Sequence, residues 1–107
     1  MIQAKEIIVA EGGNEKFSGE AYRNYGYTAL PGEYPIPIRL VDLNQETEWV
    51  ETPVVRADRT ERPVRMPKTV LNCPCTISVA VAKTHDVGMV TLALKNMIMG
   101  SITNRTA

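Results

Sequence analysis

One stretch constrains this chain more than any other, residues 75–102, CTISVAVAKTHDVGMVTLALKNMIMGSI. It reads as a buried strand, a short polar loop and an apolar helix. In residues 76–82, Ile77, Val79 and Val81 alternate with the small residues Ser78, Ala80 and Ala82, so one face accepts a closely packed backbone or helix. Residues 83–88 form the loop. Residues 89–99 predict a helix that is apolar nearly all round, which implies burial on most sides. Only residues 102–107 follow to cover it, so the chain is expected to oligomerise through this surface or to lack a C-terminal portion of a larger fold.

Upstream, Ile7, Ile8, Val9 and Ala10 form a continuous apolar run closed by Glu11-Gly12-Gly13, the pattern of a strand covered on both faces. Asn14 is a suitable N-cap for a helix bearing Phe17, Ala21 and Tyr25, with Tyr22 alongside, and Gly26 ends it. Pro31, Gly32 and Pro35 make residues 27–35 a loop. Residues 36–43 resume as a strand with Asp42 near its end, and residues 44–47 are a turn. Residues 49–55 and 64–70 predict the arms of a hairpin, joined by a charged, exposed tip at residues 56–62. The fold class is therefore α/β, with a mixed sheet, two helices and a protruding β-hairpin, in a single domain over residues 1–107 or a fragment of one.

The composition narrows the function classes. With 107 residues, 44% hydrophobic and 22% charged, the chain is an ordinary small globular domain. Its 12 basic and 12 acidic residues cancel and there is no basic run, which argues against nucleic acid as a partner. No segment is long and apolar enough to span a bilayer, and the N-terminus lacks a signal-peptide pattern, so no membrane partner and a cytoplasmic location are expected. In that compartment Cys73 and Cys75 are free thiols. Their C-x-C spacing lacks the further soft ligands of a zinc or iron–sulfur site, so no metal site is assigned, and the residues identify no cofactor. Asp42 after Gly12-Gly13 falls short of G-x-G-x-x-G and is a weak nucleotide signal.

The chemistry-bearing residues gather at the strand–loop–helix junction. Lys83, Thr84 and His85 lie at a strand's carboxyl end, where ligands collect in open α/β sheets. The helix beyond offers free N–H groups that favour phosphate or carboxylate. Thr91 and Lys95, four apart, would share its polar stripe with Asn96. Together they describe a site for a small anionic ligand. Were it catalytic, His85 would act as acid or base and Lys83 or Lys95 would stabilise charge. The plainer reading is that Thr84 or Asp86 caps the helix while Lys95 and Asn96 reach solvent. Two other functions stay open: a structural, oligomerising half-domain without catalysis, and an accessory to an iron–sulfur electron-transfer protein.

The segment AKTHDVGMVTLALKNMIMG resembles the signature of the family known as domain of unknown function 362. There a strand ends in a Pro-Lys-x-Lys-Thr-His type segment and a Val-Thr-Leu-Ala-Leu-Lys-Asn helix follows. Ala10-Glu11-Gly12, Gly26-Tyr27, Leu40-Val41-Asp42-Leu43-Asn44 and Pro67-Lys68-Thr69-Val70-Leu71 agree with it in order. The resemblance implies an α/β domain with no generally established reaction. It also implies that these residues form the N-terminal portion of a longer protein, and that many relatives carry an appended ferredoxin-type cysteine segment not present here. Ala80 and Val81 stand where the family usually has proline and lysine. Cys73 and Cys75 replace its acidic and small residues and are not family ligands.

Overall fold

The computed structural model describes residues 4–13, 18–85 and 89–103. The chain divides into two compact units, Met1–Gln45 and Glu46–Ala107. Strands and helices alternate along both, as an α/β chain requires.

The first unit is a βαβ arrangement. Strand β1 (Ile7–Glu11) pairs in parallel with β2 (Ile38–Asp42), from Ile7 opposite Ile38 to Glu11 opposite Asp42. Parallel strands need a crossover connection. Here it contains helix α1 (Ser18–Asn24), a 3-10 turn over Tyr27–Ala29 and the single-turn helix α2 (Leu30–Glu33). Gly26 adopts φ +77° between α1 and that turn, a conformation that costs glycine little. The loop expected at residues 27–35 is thus partly helical, because Pro31 fits a helix's first turn, where its missing N–H has no partner to lose. Asn14 and Phe17, expected to open α1, lie outside the described residues.

The core of this unit is Leu43, 2% exposed, and Tyr22, 8% exposed. The Tyr22 hydroxyl lies 3.0 Å from the Val41 carbonyl and 3.3 Å from that of Val9, so α1 is fastened to both strands at once. Its ring meets Tyr27 in a tilted arrangement with centroids 5.8 Å apart. Burial, followed by the negative charges of Glu11 and Asp42, pushes its pKa from 10.0 up to about 12.

The second unit opens with a hairpin. Strand β3 (Trp49–Val55) pairs antiparallel with β4 (Glu61–Pro67). The expected second arm at residues 64–70 is therefore displaced three residues toward the N-terminus. The turn decides this. Asp58 accepts bonds from the Thr60 amide (3.0 Å) and hydroxyl (2.6 Å), Arg59 takes φ +67°, and the Arg56 amide donates to the Thr60 carbonyl at 2.8 Å. These interactions tie residues 56–60 into a defined loop instead of the longer tip foreseen. Arg65 lies 4.5 Å over the Trp49 ring. Residues Lys68–Leu71 form the short helix α3, held where the Lys68 amide donates to the Glu48 carbonyl and the Thr69 hydroxyl to the Glu46 carboxylate.

Strand β5 (Lys83–His85) pairs antiparallel with β6 (Met89–Thr91), and helix α4 (Ala93–Ser101) follows. The helix expected from residue 89 therefore starts four residues later. Met89 has φ +58° and is followed by the β-branched Val90 and Thr91, which favour a strand once a partner is present. The thread continues through Ile102, whose successor Thr103 donates its amide to the Arg65 carbonyl at 3.2 Å. Val64, Pro67, Ser101 and Ile102 make up the buried centre of this unit.

Two further expectations are corrected. The described strands form three separate two-stranded sheets, one parallel and two antiparallel, not one mixed sheet. Residues 76–82 are not a buried strand: Ile77, Val79 and Val81 are 82%, 87% and 73% exposed. Their alternating pattern specifies a face, but a strand also needs a ladder partner, and none pairs with this segment among the described residues.

Candidate functional site

Three residues on each arm define the β5–β6 ribbon: Lys83 faces Thr91, Thr84 faces Val90, and His85 faces Met89. Directly opposed side chains share a face, and so do alternate residues of one strand. Lys83, His85, Met89 and Thr91 therefore lie on one face, with Thr84 and Val90 on the other. Lys83 and Thr84 are exposed, and His85 and Thr91 are half-buried. Asp86, in the connection between the arms, is outside the described residues.

Thr91 is the unusual member. Its hydroxyl oxygen is buried and has no hydrogen-bond partner among the described residues. An unmet buried hydroxyl costs about 1–3 kcal/mol, so native structures rarely keep one without cause. One residue on, Leu92 takes an extended conformation (φ −139°, ψ −174°) and caps α4 with no side-chain hydrogen bond. Aliphatic Leu92 has no oxygen to offer the first N–H groups of the helix. Lys95 is in that first turn, half-buried, and no acidic residue accompanies it. The helix end thus combines first-turn N–H groups that Leu92 does not cap, a cation and a buried hydroxyl one residue before its cap.

Asn96 has a different local task. Its amide nitrogen donates to the Ser78 hydroxyl at 3.2 Å and the Val79 carbonyl at 3.4 Å, while the Ser78 hydroxyl donates to the Ala93 carbonyl at 3.1 Å. These bonds hold residues 76–82 beside the start of α4. The expectation that Thr91 and Lys95 share one helix face is corrected: Thr91 belongs to β6, and only Lys95 and Asn96 are helical. Lys83, His85 and Thr91 are brought onto one ribbon face, whereas Thr84 is placed opposite. Ser78 was not foreseen as a contributor. Its small size was legible, but its role as a bridge depends on the tertiary position of the segment.

Elsewhere, Asp42 is engaged in a turn. Its carboxylate accepts the Asn44 amide at 2.9 Å, and the Asn44 side chain donates to the Gly13 carbonyl at 3.0 Å. An open hollow in the first unit is lined by Tyr25, Gly26, Tyr27 and Leu30 and contributes no charged group. Cys73 and Cys75 are free, and the Cys73 thiol donates to the Cys75 carbonyl at 3.0 Å. Among the described residues, no group of three or more histidine, cysteine, aspartate or glutamate side chains is placed to hold a metal ion, and no helix is long and apolar enough to cross a membrane.

A family model described as "Domain of unknown function (DUF362)" matches residues 1–107. No curated protein and no solved structure matches the chain.

Proposed function

From the premise that the chain belongs to the domain of unknown function 362 family along its whole length, we propose that it binds a small anion, phosphate or carboxylate, where β6 runs into α4. The observation that carries this reading is the buried Thr91 hydroxyl, unpartnered among the described residues, opposite Lys83 and one residue before a helix cap without a side-chain acceptor. An anionic oxygen accepting from that hydroxyl and from the first α4 amides would satisfy donors that otherwise lack partners. Lys83 and Lys95 supply positive charge. His85, two residues from Lys83 on the same face, is the candidate acid or base for a ligand with a transferable proton. Asn96 orders the helix start through Ser78 as well as being a candidate contact.

Isothermal titration of the full chain with inorganic phosphate and with acetate tests the reading. Saturable binding is expected, weakened about tenfold by Lys83→Ala, in keeping with the loss of one charge-assisted contact. Equal binding by wild type and Lys83→Ala, or no binding of either anion, would overturn it.

A further inference from the structure

Cys73, Pro74 and Cys75 lead from the short helix α3 into residues 76–82, and neither thiol has a part in the anion site. The near end of this loop is fixed. The Asn72 amide donates to the Lys68 carbonyl at 2.8 Å and the Cys73 amide to the Val70 carbonyl at 3.3 Å, so Cys73 is tied to the last turn of α3. The chain then bends at Pro74 and Cys75. Proline locks its own φ and has no N–H, which leaves the bend few alternative shapes. The Cys73 thiol is turned toward Cys75, whose carbonyl accepts from it at 3.0 Å. Cys73 is half-buried and Cys75 is exposed.

That hydrogen bond brings the two sulfurs close, because the carbonyl belongs to the residue that bears the second thiol. Within one cysteine, sulfur and carbonyl oxygen are roughly 3–4.5 Å apart, according to the side-chain rotamer. The Cys75 side chain is exposed, so its rotamers are open to it. Rotation about its Cα–Cβ bond brings the sulfurs to about 4.5 Å, the span of two collinear thiolate–metal bonds of about 2.3 Å each.

We propose that Cys73 and Cys75 bind one soft monovalent cation, Cu(I), as a two-coordinate bis-thiolate. The donor set selects the ion. Zinc and iron–sulfur centres take four ligands, and among the described residues no third histidine, cysteine, aspartate or glutamate joins these two thiols. The carboxylates bonded to α3 are already engaged, Glu46 by the Thr69 hydroxyl and Glu48 by the Lys68 ammonium, so no hard oxygen ligand is offered from there. Thiolates favour soft Cu(I), whose closed shell is satisfied by two collinear sulfurs. Exposed Cys75 meets the incoming ion first and Cys73 closes the pair. Two S–Cu bonds form, both thiol protons pass to solvent, and no electron is transferred. The site is independent of the anion reading, since none of its test variants alters Lys83, Thr91 or Lys95.

The test is competition for Cu(I) between the full chain, reduced and kept free of oxygen, and a coloured Cu(I) chelator such as bicinchoninate. The chain should withdraw one Cu(I) per molecule, and an equal concentration of Zn(II) should leave it in place. Cys73→Ser and Cys75→Ser should each lower the affinity by more than about 100-fold, since losing one of two ligands costs more than losing an outer-shell partner. Unchanged Trp49 fluorescence on thermal unfolding shows that each variant keeps its fold. A chain that leaves the chelator's colour unchanged would overturn the proposal. So would a single-serine variant that binds as tightly as wild type, one ion shared between two chains, or displacement of Cu(I) by zinc.

Discussion

Replacing Tyr22 with phenylalanine tests how the first unit is held together. The ring stays, so its contact with Tyr27 is kept, and only the hydroxyl shared between the Val9 and Val41 carbonyls is lost. A buried neutral hydrogen bond contributes about 1 kcal/mol net, and two strand carbonyls lose a donor here, so Tyr22→Phe should cost about 1–2 kcal/mol at neutral pH. That corresponds to about 5 °C or more in melting temperature for a domain of this size. The pH dependence adds a second signature. The phenol's pKa is raised from 10.0 to about 12, so the folded state keeps a proton that the unfolded state releases. Its contribution is therefore complete below pH 10.0 and is lost as pH rises toward about 12. After allowing for solvent screening near the strand ends, this loss is about 2 kcal/mol. All four tyrosines lie in the first unit and the only tryptophan in the second, so tyrosine absorbance follows the relevant transition separately from Trp49 fluorescence. The stability difference between wild type and Tyr22→Phe should be constant below pH 10.0 and shrink above it. A substitution without effect at neutral pH, or a difference unchanged through the alkaline range, would refute the reasoning.

Two other outcomes are expected. Thr91→Val removes the unmet buried hydroxyl while keeping its shape, so it should raise stability by about 1 kcal/mol in urea denaturation and weaken phosphate binding in the same variant. A destabilised Thr91→Val chain would show that the hydroxyl has a partner. Arg59→Gly relieves a left-handed backbone at the hairpin tip, partly offset by greater unfolded-chain entropy, so a gain of about 0.5 kcal/mol is expected. Trp49 fluorescence during unfolding measures it, and a loss would contradict the turn geometry.

Particular residues show what the sequence made legible. Strand β3 appears at its expected bounds because Trp49, Val50, Val54 and Val55 are strong strand formers bounded by polar turns. The apolar run in β1 and the strand before Asp42 were equally plain, since parallel strands leave continuous apolar stretches. The second hairpin arm differs from its expected bounds by three residues because alternation shows which residues share a face but not where the strand begins or ends, whereas the Asp58–Thr60 turn sets its start. Helix α4 was extended backward because an apolar run does not reveal where a helix begins. The left-handed Met89 and the pairing of Lys83 with Thr91 decide that. The grouping of Lys83 and His85 follows from spacing alone once they are on a strand. The orphaned Thr91 hydroxyl does not, because burial and missing partners arise only in three dimensions.

The anion site is tested most directly by following backbone amide resonances of the full chain during titration with inorganic phosphate. The account predicts that Ala93, Leu94 and Lys95 shift together along one saturating curve, with Thr91 moving in parallel, and that Lys83→Ala flattens the curve. Shifts scattered over unrelated lysines, or first-turn amides of α4 that do not respond, would contradict it.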